Sequence, residues 1–219
     1  MGLCELWCTL GTLLTENLNF DWAARMADEW RIGIGSDLHH AAAGHPLLLG
    51  GFEIRNDFGL IGHQDGDVVL HAVIDALFGA ACLPDMSERF PEDLQQLSHS
   101  LGLPVDQLHE HGITATSSQE GAEQSIGNLS SADMLAQALE EIQAGHWAIN
   151  NVDVTILAKR PNLSKHKLSI KKSLADLLAL EWGRVSIKSS AHSGTGAVEQ
   201  GRAIACEAAV TLRATERHG

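Results

Sequence analysis

Asp65-Gly-Asp67-Val-Val-Leu-His71-Ala-Val-Ile-Asp75-Ala-Leu-Phe-Gly-Ala-Ala81 is the stretch on which the reading of this chain turns. Two carboxylates flanking a glycine precede a run that is almost wholly apolar and rich in Ala and Leu. Such residues lose little side-chain freedom in a helix. An Asp just ahead of the run is placed to accept the free N–H groups of a first helical turn. The pattern predicts a buried helix over Val68–Ala81, interrupted only by His71 and Asp75. These two are four residues apart and share one face. Asp75 has two roles open to it, orienting the His71 imidazole or capping and pairing elsewhere.

Upstream, Arg31-Ile-Gly-Ile-Gly-Ser-Asp-Leu-His39 alternates with a period of two and predicts a strand. Leu47–Ile54 reads as a second strand or hairpin broken at Gly50-Gly51, and Asn56-Asp57 with Gly59 reads as a turn. Downstream, residues 93–129 are polar with weak periodicity, which predicts an insertion rather than a second domain. Ser130-x-x-Asp133 resembles a capping box before a stripe of Met134, Leu135, Ala138, Leu139 and Ile142, closed by Gly145. Val152–Ile156, Val185–Ile187 and Ala203–Leu212 read as strands, with a helix over about residues 164–180. The expectation is an α+β fold: one domain over 31–213, a mixed β-sheet packed against helices. Residues 1–30 form an N-terminal extension without an assigned role, helical in character over Asp21–Trp30, and 214–219 a C-terminal tail.

With 219 residues, 44% hydrophobic and 20% charged, the chain can bury a sizeable core. The net charge of −13 speaks against nucleic acid and anionic membranes, because counterion release needs clustered Lys and Arg. It leaves room for a phosphorylated substrate, since a metal ion and backbone N–H groups hold phosphate in an acidic protein. No run is long enough to span a bilayer. No Lys or Arg precedes Arg25, so a signal peptide's basic start is missing. Cys4, Cys8, Cys82 and Cys206 read as reduced, buried thiols, which suits a cytoplasmic protein.

Asp37 and His39 lie two apart on the expected strand and so on one face. His71 lies on the helix that follows. One carboxylate and two imidazoles suit Zn²⁺ or another divalent transition metal and leave a fourth position open. Spacing alone leaves a second reading open, a chance surface pair and a packed core histidine, in a chain with 12 histidines.

Gly35-Ser-Asp-Leu-His39 resembles the G-x-D-x-H string of the 2-C-methyl-D-erythritol 2,4-cyclodiphosphate synthases. Gly62–Ala81 is similar to their H-S-D-G-D-V-x-x-H-A-x-x-D-A-L-x-G-A-A signature almost residue by residue. Pro46–Gly51, Phe90-Pro-Glu, Asn151–Ile156 and Ile204–Ala208 resemble further strings in the same order. The resemblance implies a homotrimer with active sites between subunits. It also implies a lyase of the non-mevalonate isoprenoid pathway that cyclises 4-diphosphocytidyl-2-C-methyl-D-erythritol 2-phosphate with release of CMP. By that resemblance Asp37, His39 and His71 hold the metal, and His63 stabilises the transition state. Asp85, Ser87, Phe90, Glu92 and Asp93 fall where the methylerythritol part binds. The stretch from Ala158 through Ser164, with Pro161 and Asn162 in it, falls where the cytidine base is received, largely through backbone groups.

The segment Lys188–Ala203 departs from the family string K-A-T-T-T-E-K-x-G-F-T-G-R-G-E-G. Ser190 keeps a hydroxyl, but Ala191 replaces a Thr. Ser193 replaces the Glu of a second divalent ion (Mg²⁺ or Mn²⁺), and Gln200 replaces an Arg. Gln64 stands for a Ser and Asn162 for a Lys. His192 and the glycines at 194 and 196 are candidate replacements. These changes keep open an alternative, a family member without turnover that binds nucleotide or metal or acts as a trimeric scaffold.

Overall fold

The computed structural model describes residues 29–61, 65–90, 129–191 and 196–215. The expectations placed on 1–28, on His63 and Gln64, on 91–128 (with Glu92 and Asp93), and on His192 and Ser193 lie outside those residues.

Strand β1 (Trp30–Ala42) runs antiparallel to β4 (Gly59–Ile61) on one side and β7 (Ala203–Ala214) on the other. Next to β7 lies β5 (Trp147–Leu157), antiparallel to it, and β6 (Val185–Ser190) pairs parallel to β5 at the edge. The sheet order is therefore β4-β1-β7-β5-β6, the mixed sheet expected. Against it pack α1 (Val68–Ala81), on β1 and β7, and α3 (Ser131–Ala144), on α1 and β5. Helix α4 (Lys167–Leu177) covers β6, and a short α2 (Met86–Arg89) follows α1.

Burial along β1 alternates as the sequence does: Gly33 and Gly35 face inward, while Ile32 and Ile34 face out. The two glycines set how closely α1 approaches. A Cβ on Gly33 would lie 1.9 Å from the Ala76 carbonyl oxygen, and one on Gly35 would lie 2.1 Å from that of Ala72. The helix answers with Ala72, Ala76 and Ala80 at intervals of four, so its backbone rests on the strand. Opposite them, Val73, Ile74, Leu77 and Phe78 fill the core. A helix buried all round is the reason its sequence lacks a polar stripe.

Asp67 starts α1 by accepting from the N–H groups of Val69 and Leu70. The same carboxylate accepts from Gly50 N at 2.8 Å and Gly51 N at 2.6 Å. It thereby fastens the turn of a small hairpin, β2 (Leu48–Leu49) and β3 (Phe52–Glu53), whose two turn glycines both have positive φ. Burial pushes the Asp67 carboxyl up, against the pull of those backbone donors. The capping box at Ser130 and Asp133 forms as read, and Gly145 ends α3.

Four local expectations change. Gly59 lies in β4 rather than in a turn, because its backbone pairs with Ala42 and a side chain there would strike the Pro46 carbonyl. The helix expected to start near 164 begins as a 3-10 turn (Leu163–Lys165), and α4 ends at Leu177, short of 180. Trp30 opens β1, and Ala214 closes β7, so both belong to the sheet and not to flanking segments. Cys206 is buried and burial raises its thiol pKa, but Cys82 is exposed at the left-handed end of α1. Among the described residues, no helix is long and apolar enough to cross a membrane.

Candidate metal centre

Asp37 and His39 project from the inward face of β1 over the first turn of α1, where His71 sits almost fully buried. Asp37 Oδ2 lies 2.9 Å from His39 Nε2 and 3.0 Å from His71 Nδ1. The two rings meet edge to face with centroids 5.1 Å apart. One ligand atom from each residue lies within 4.8 Å of the others. The packed-core reading of His71 and the metal reading thus describe one side chain, buried and aimed at the carboxylate.

Each imidazole is turned by a partner behind it. His39 Nδ1 lies 3.1 Å from the Gly66 carbonyl oxygen. A carbonyl only accepts, so Nδ1 carries a proton and Nε2 is the nitrogen left to face Asp37 and an ion. His71 Nε2 lies 2.8 Å from Ser131 Oγ, and that hydroxyl donates to Asp65 Oδ1. With its one hydrogen committed, Oγ accepts from His71 Nε2–H, which leaves Nδ1 as the nitrogen that faces Asp37. The nitrogens facing Asp37 Oδ2 lie 2.9 and 3.0 Å from it, so each contact is bridged by a ring proton or by a metal ion that takes its place. The donor set therefore fits a divalent transition metal such as Zn²⁺, in the tautomers that such an ion needs.

Electrostatics point the same way. Burial would raise the Asp37 carboxyl, but hydrogen bonds and charge from His39 and His71 outweigh it and hold the group well below the usual carboxylate range. Burial would lower the His39 pKa, yet the Asp37 carboxylate beside it raises it above the ordinary value. An anion kept ionised next to His39, whose imidazole favours a proton, is a pocket tuned for positive charge.

Asp75 takes the second of its two roles. Its Oδ1 accepts from Met86 N at 2.9 Å, tying α1 to α2, while both His71 nitrogens already face Asp37 and Ser131. Asp85 caps α2 and accepts from Ser87 Oγ at 2.6 Å, and both are exposed. Phe90, expected to contact substrate, is 8% exposed, and its ring stacks on Phe78 in the core.

The remaining candidates gather at the far edge of the sheet. Ala158 N donates to Ser190 O, so the two segments expected to receive cytidine and phosphate leave the sheet side by side. Arg160 Nε reaches the Gly201 carbonyl at 3.0 Å, and Lys159 pairs with Glu199 at 2.9 Å. Pro161 follows a cis bond, and Asn162 caps the turn at Leu163 by accepting from Ser164 N. Ala191 and Gln200 are exposed. Asp37 pairs with Cys206, Cys206 with Ile156, and Ile156 with Ser189, so this edge is three strands from the metal corner. That is about 14 Å at ordinary strand spacing.

Sequence reasoning missed Ser131 and the outward-facing roles of Asp65 and Gly66. The only signal was that a metal-binding imidazole needs an outer partner. Nothing in spacing names a residue 60 positions away.

The chain matches the YgbB family over residues 30–103 and 115–213. It is 36% identical over 184 residues to the 2-C-methyl-D-erythritol 2,4-cyclodiphosphate synthase of Gloeobacter violaceus, covering 84% of this chain and 95% of that one. It is 34% identical to the same-named protein of Rhodopirellula baltica, covering 84% and 93%. The CDP complex of Plasmodium falciparum IspF superimposes with a TM-score of 0.63 at 25% identity, covering 86% of this chain and 98% of that one. The bifunctional IspDF of Campylobacter jejuni gives 0.68 at 25% identity, covering 86% of this chain and 43% of that longer one. A match over most of its length, on the strand and helix that carry the metal corner, makes the chain a member of the YgbB family.

Proposed function

We propose that the chain is a phosphorus–oxygen lyase. It converts 4-diphosphocytidyl-2-C-methyl-D-erythritol 2-phosphate to the 2,4-cyclodiphosphate and CMP in non-mevalonate isoprenoid synthesis. The observation that carries this reading is the donor set on Asp37 Oδ2, in a chain that aligns with cyclodiphosphate synthases over nearly their whole length. In the reaction a 2-phosphate oxygen bonds to the β-phosphorus as the bond to CMP breaks. Such chemistry depends on holding the groups in line and neutralising charge. Asp37, His39 and His71 would hold a divalent ion, whose chemistry there would be Lewis-acid polarisation of the phosphoryl oxygens. His63, a few residues before the helix, is the candidate donor to the transition state. Asp85 and Ser87, exposed at the start of α2, suit the hydroxyls of the methylerythritol part. The backbone from Ala158 to Asn162 suits a cytidine base, and Ser190 the phosphates beside it.

The complete site belongs between subunits of a homotrimer. Two observations support this. The metal corner and the Ala158–Ser190 edge of one chain stand three strands apart. The outer face of β1 also exposes Trp30, Ile32, Ile34 and Leu38, with Ile34 at 76%. An apolar row of that kind on a sheet face marks an interface. Both free cysteines among the described residues accord with a reducing, cytoplasmic setting.

The test is incubation of purified protein and a His63→Ala variant with the substrate, Zn²⁺ and Mg²⁺ or Mn²⁺, followed by separation of products. CMP and cyclic diphosphate in equal amounts from the parent, well above the variant, is the expected result. No CMP above the variant would leave a nucleotide- or metal-binding scaffold as the reading. Sedimentation should give three chains per particle, and Ile34→Asp should shift it toward single chains.

A further inference from the structure

Ser131 is fully buried at the first turn of α3, and its hydroxyl is not needed to cap that helix. Ser130 and Asp133 already do so from both sides. What Ser131 Oγ does instead is accept from His71 Nε2 at 2.8 Å and donate to Asp65 Oδ1. Asp65 grips the same residue a second time, its Oδ2 accepting from Ser131 N at 3.2 Å. The double contact fixes which side of the hydroxyl carries the proton. It also sets a carboxylate against the helix N-terminus, where negative charge is favoured.

We infer that Ser131 and Asp65 are positioning residues for the metal, an imidazole–hydroxyl–carboxylate chain that holds His71 with Nδ1 toward Asp37 and makes that nitrogen a better donor. This rests on the reading of Asp37, His39 and His71 as a metal site. Without the chain, the His71 ring can turn or move its proton to Nδ1, and either change removes the lone pair from the ion's position. Water cannot substitute for the hydroxyl as it would at a surface, because Ser131 and His71 are both closed from solvent. Gly66 serves His39 in the same manner through its carbonyl. One three-residue turn, Asp65 to Asp67, thus orients both imidazoles and starts the helix that bears one of them. The chain also couples the metal corner to α3, whose start lies far along the sequence.

The test uses Co²⁺ as a spectroscopic probe on the full-length metal-stripped protein, by titration of its visible absorption. Ser131→Ala is expected to weaken Co²⁺ binding by about 10–100-fold and to change the absorption envelope. Asp65→Asn keeps an acceptor for the hydroxyl and should lose less affinity than Asp65→Ala. Ser130→Ala removes the cap of the same helix without touching His71. It should lower the melting temperature while Co²⁺ affinity stays at the parent value. Parent-like affinity and spectrum in Ser131→Ala would overturn the inference, as would equal losses in Ser130→Ala and Ser131→Ala. Should Ser131→Ala fail to fold, parent-like binding in both Asp65 variants overturns it equally. A parent protein that takes up no Co²⁺ defeats the metal reading itself, and the inference with it.

Discussion

The metal corner and the segment joining β6 to β7 are built on opposite terms. At the corner, each ligand sits on a long strand or a buried helix, and each imidazole has an outer partner that leaves it one orientation. In the β6–β7 segment, by contrast, the described residues 196–201 form turns, and Ala191 and Gln200 are exposed. The corner keeps the strings by which the chain resembles its family, while the segment carries Ala191, Ser193 and Gln200 where the resembled string has Thr, Glu and Arg. The difference teaches where change is tolerated. Altering His71 disturbs packing, orientation and charge together, whereas altering the exposed Gln200 disturbs little of the packing.

The largest expected effect breaks the corner outright. His71→Ala should abolish measurable Zn²⁺ uptake and reduce CMP formation by about 10²–10³-fold, read by metal analysis of dialysed protein alongside the product assay. Retained uptake would mean that the strand pair binds the ion alone. Asp67→Ala attacks the same corner through the fold. It removes an acceptor shared by Gly50, Gly51, Val69 and Leu70. A loss of about 2–4 kcal/mol is expected, visible as a lower urea midpoint at unchanged slope.

How far the corner was legible in advance follows from these residues. Asp37 and His39 could be placed on one face by alternation, and Asp67 at a helix start by the run that follows it. Ser131 could not be found, because the contact that defines it joins segments separated by 60 positions. Gly59 was misread for a similar reason. A glycine after Asn56-Asp57 suggests a turn locally, and only pairing with Ala42 and contact with Pro46 make it a strand residue.

The next expected effect is the corner's pH dependence. His39 has a raised pKa in the metal-free protein, so the proton that competes with the ion is held above the ordinary 6.5. Metal affinity should therefore be full at alkaline pH and start to fall before pH 6.5 is reached, by about tenfold per unit once His39 is protonated. Co²⁺ titrations from pH 8 down to 5.5 check this, and an onset well below 6.5 would contradict the raised value. The smallest effect sharpens the other side of the comparison. Restoring the family residues with Ala191→Thr and Gln200→Arg together should raise kcat/KM by about tenfold, through a charge-assisted contact to phosphate, with no change in metal content. An unchanged rate would mean that the segment's substitutions are compensated within this chain.

The amino-acid sequence by itself determined the alternating strand that bears Asp37 and His39, the apolar helix that bears His71, and the capped helix after Ser130. Periodicity and capping are local properties, legible within a few residues. Only the tertiary structure decided that Gly33 and Gly35 let that helix rest on the strand, which imidazole nitrogen faces the carboxylate, and that Ser131 and Asp65 stand behind it. Those outcomes depend on which backbones can approach and which buried polar groups must find partners, and both are settled between elements rather than within them.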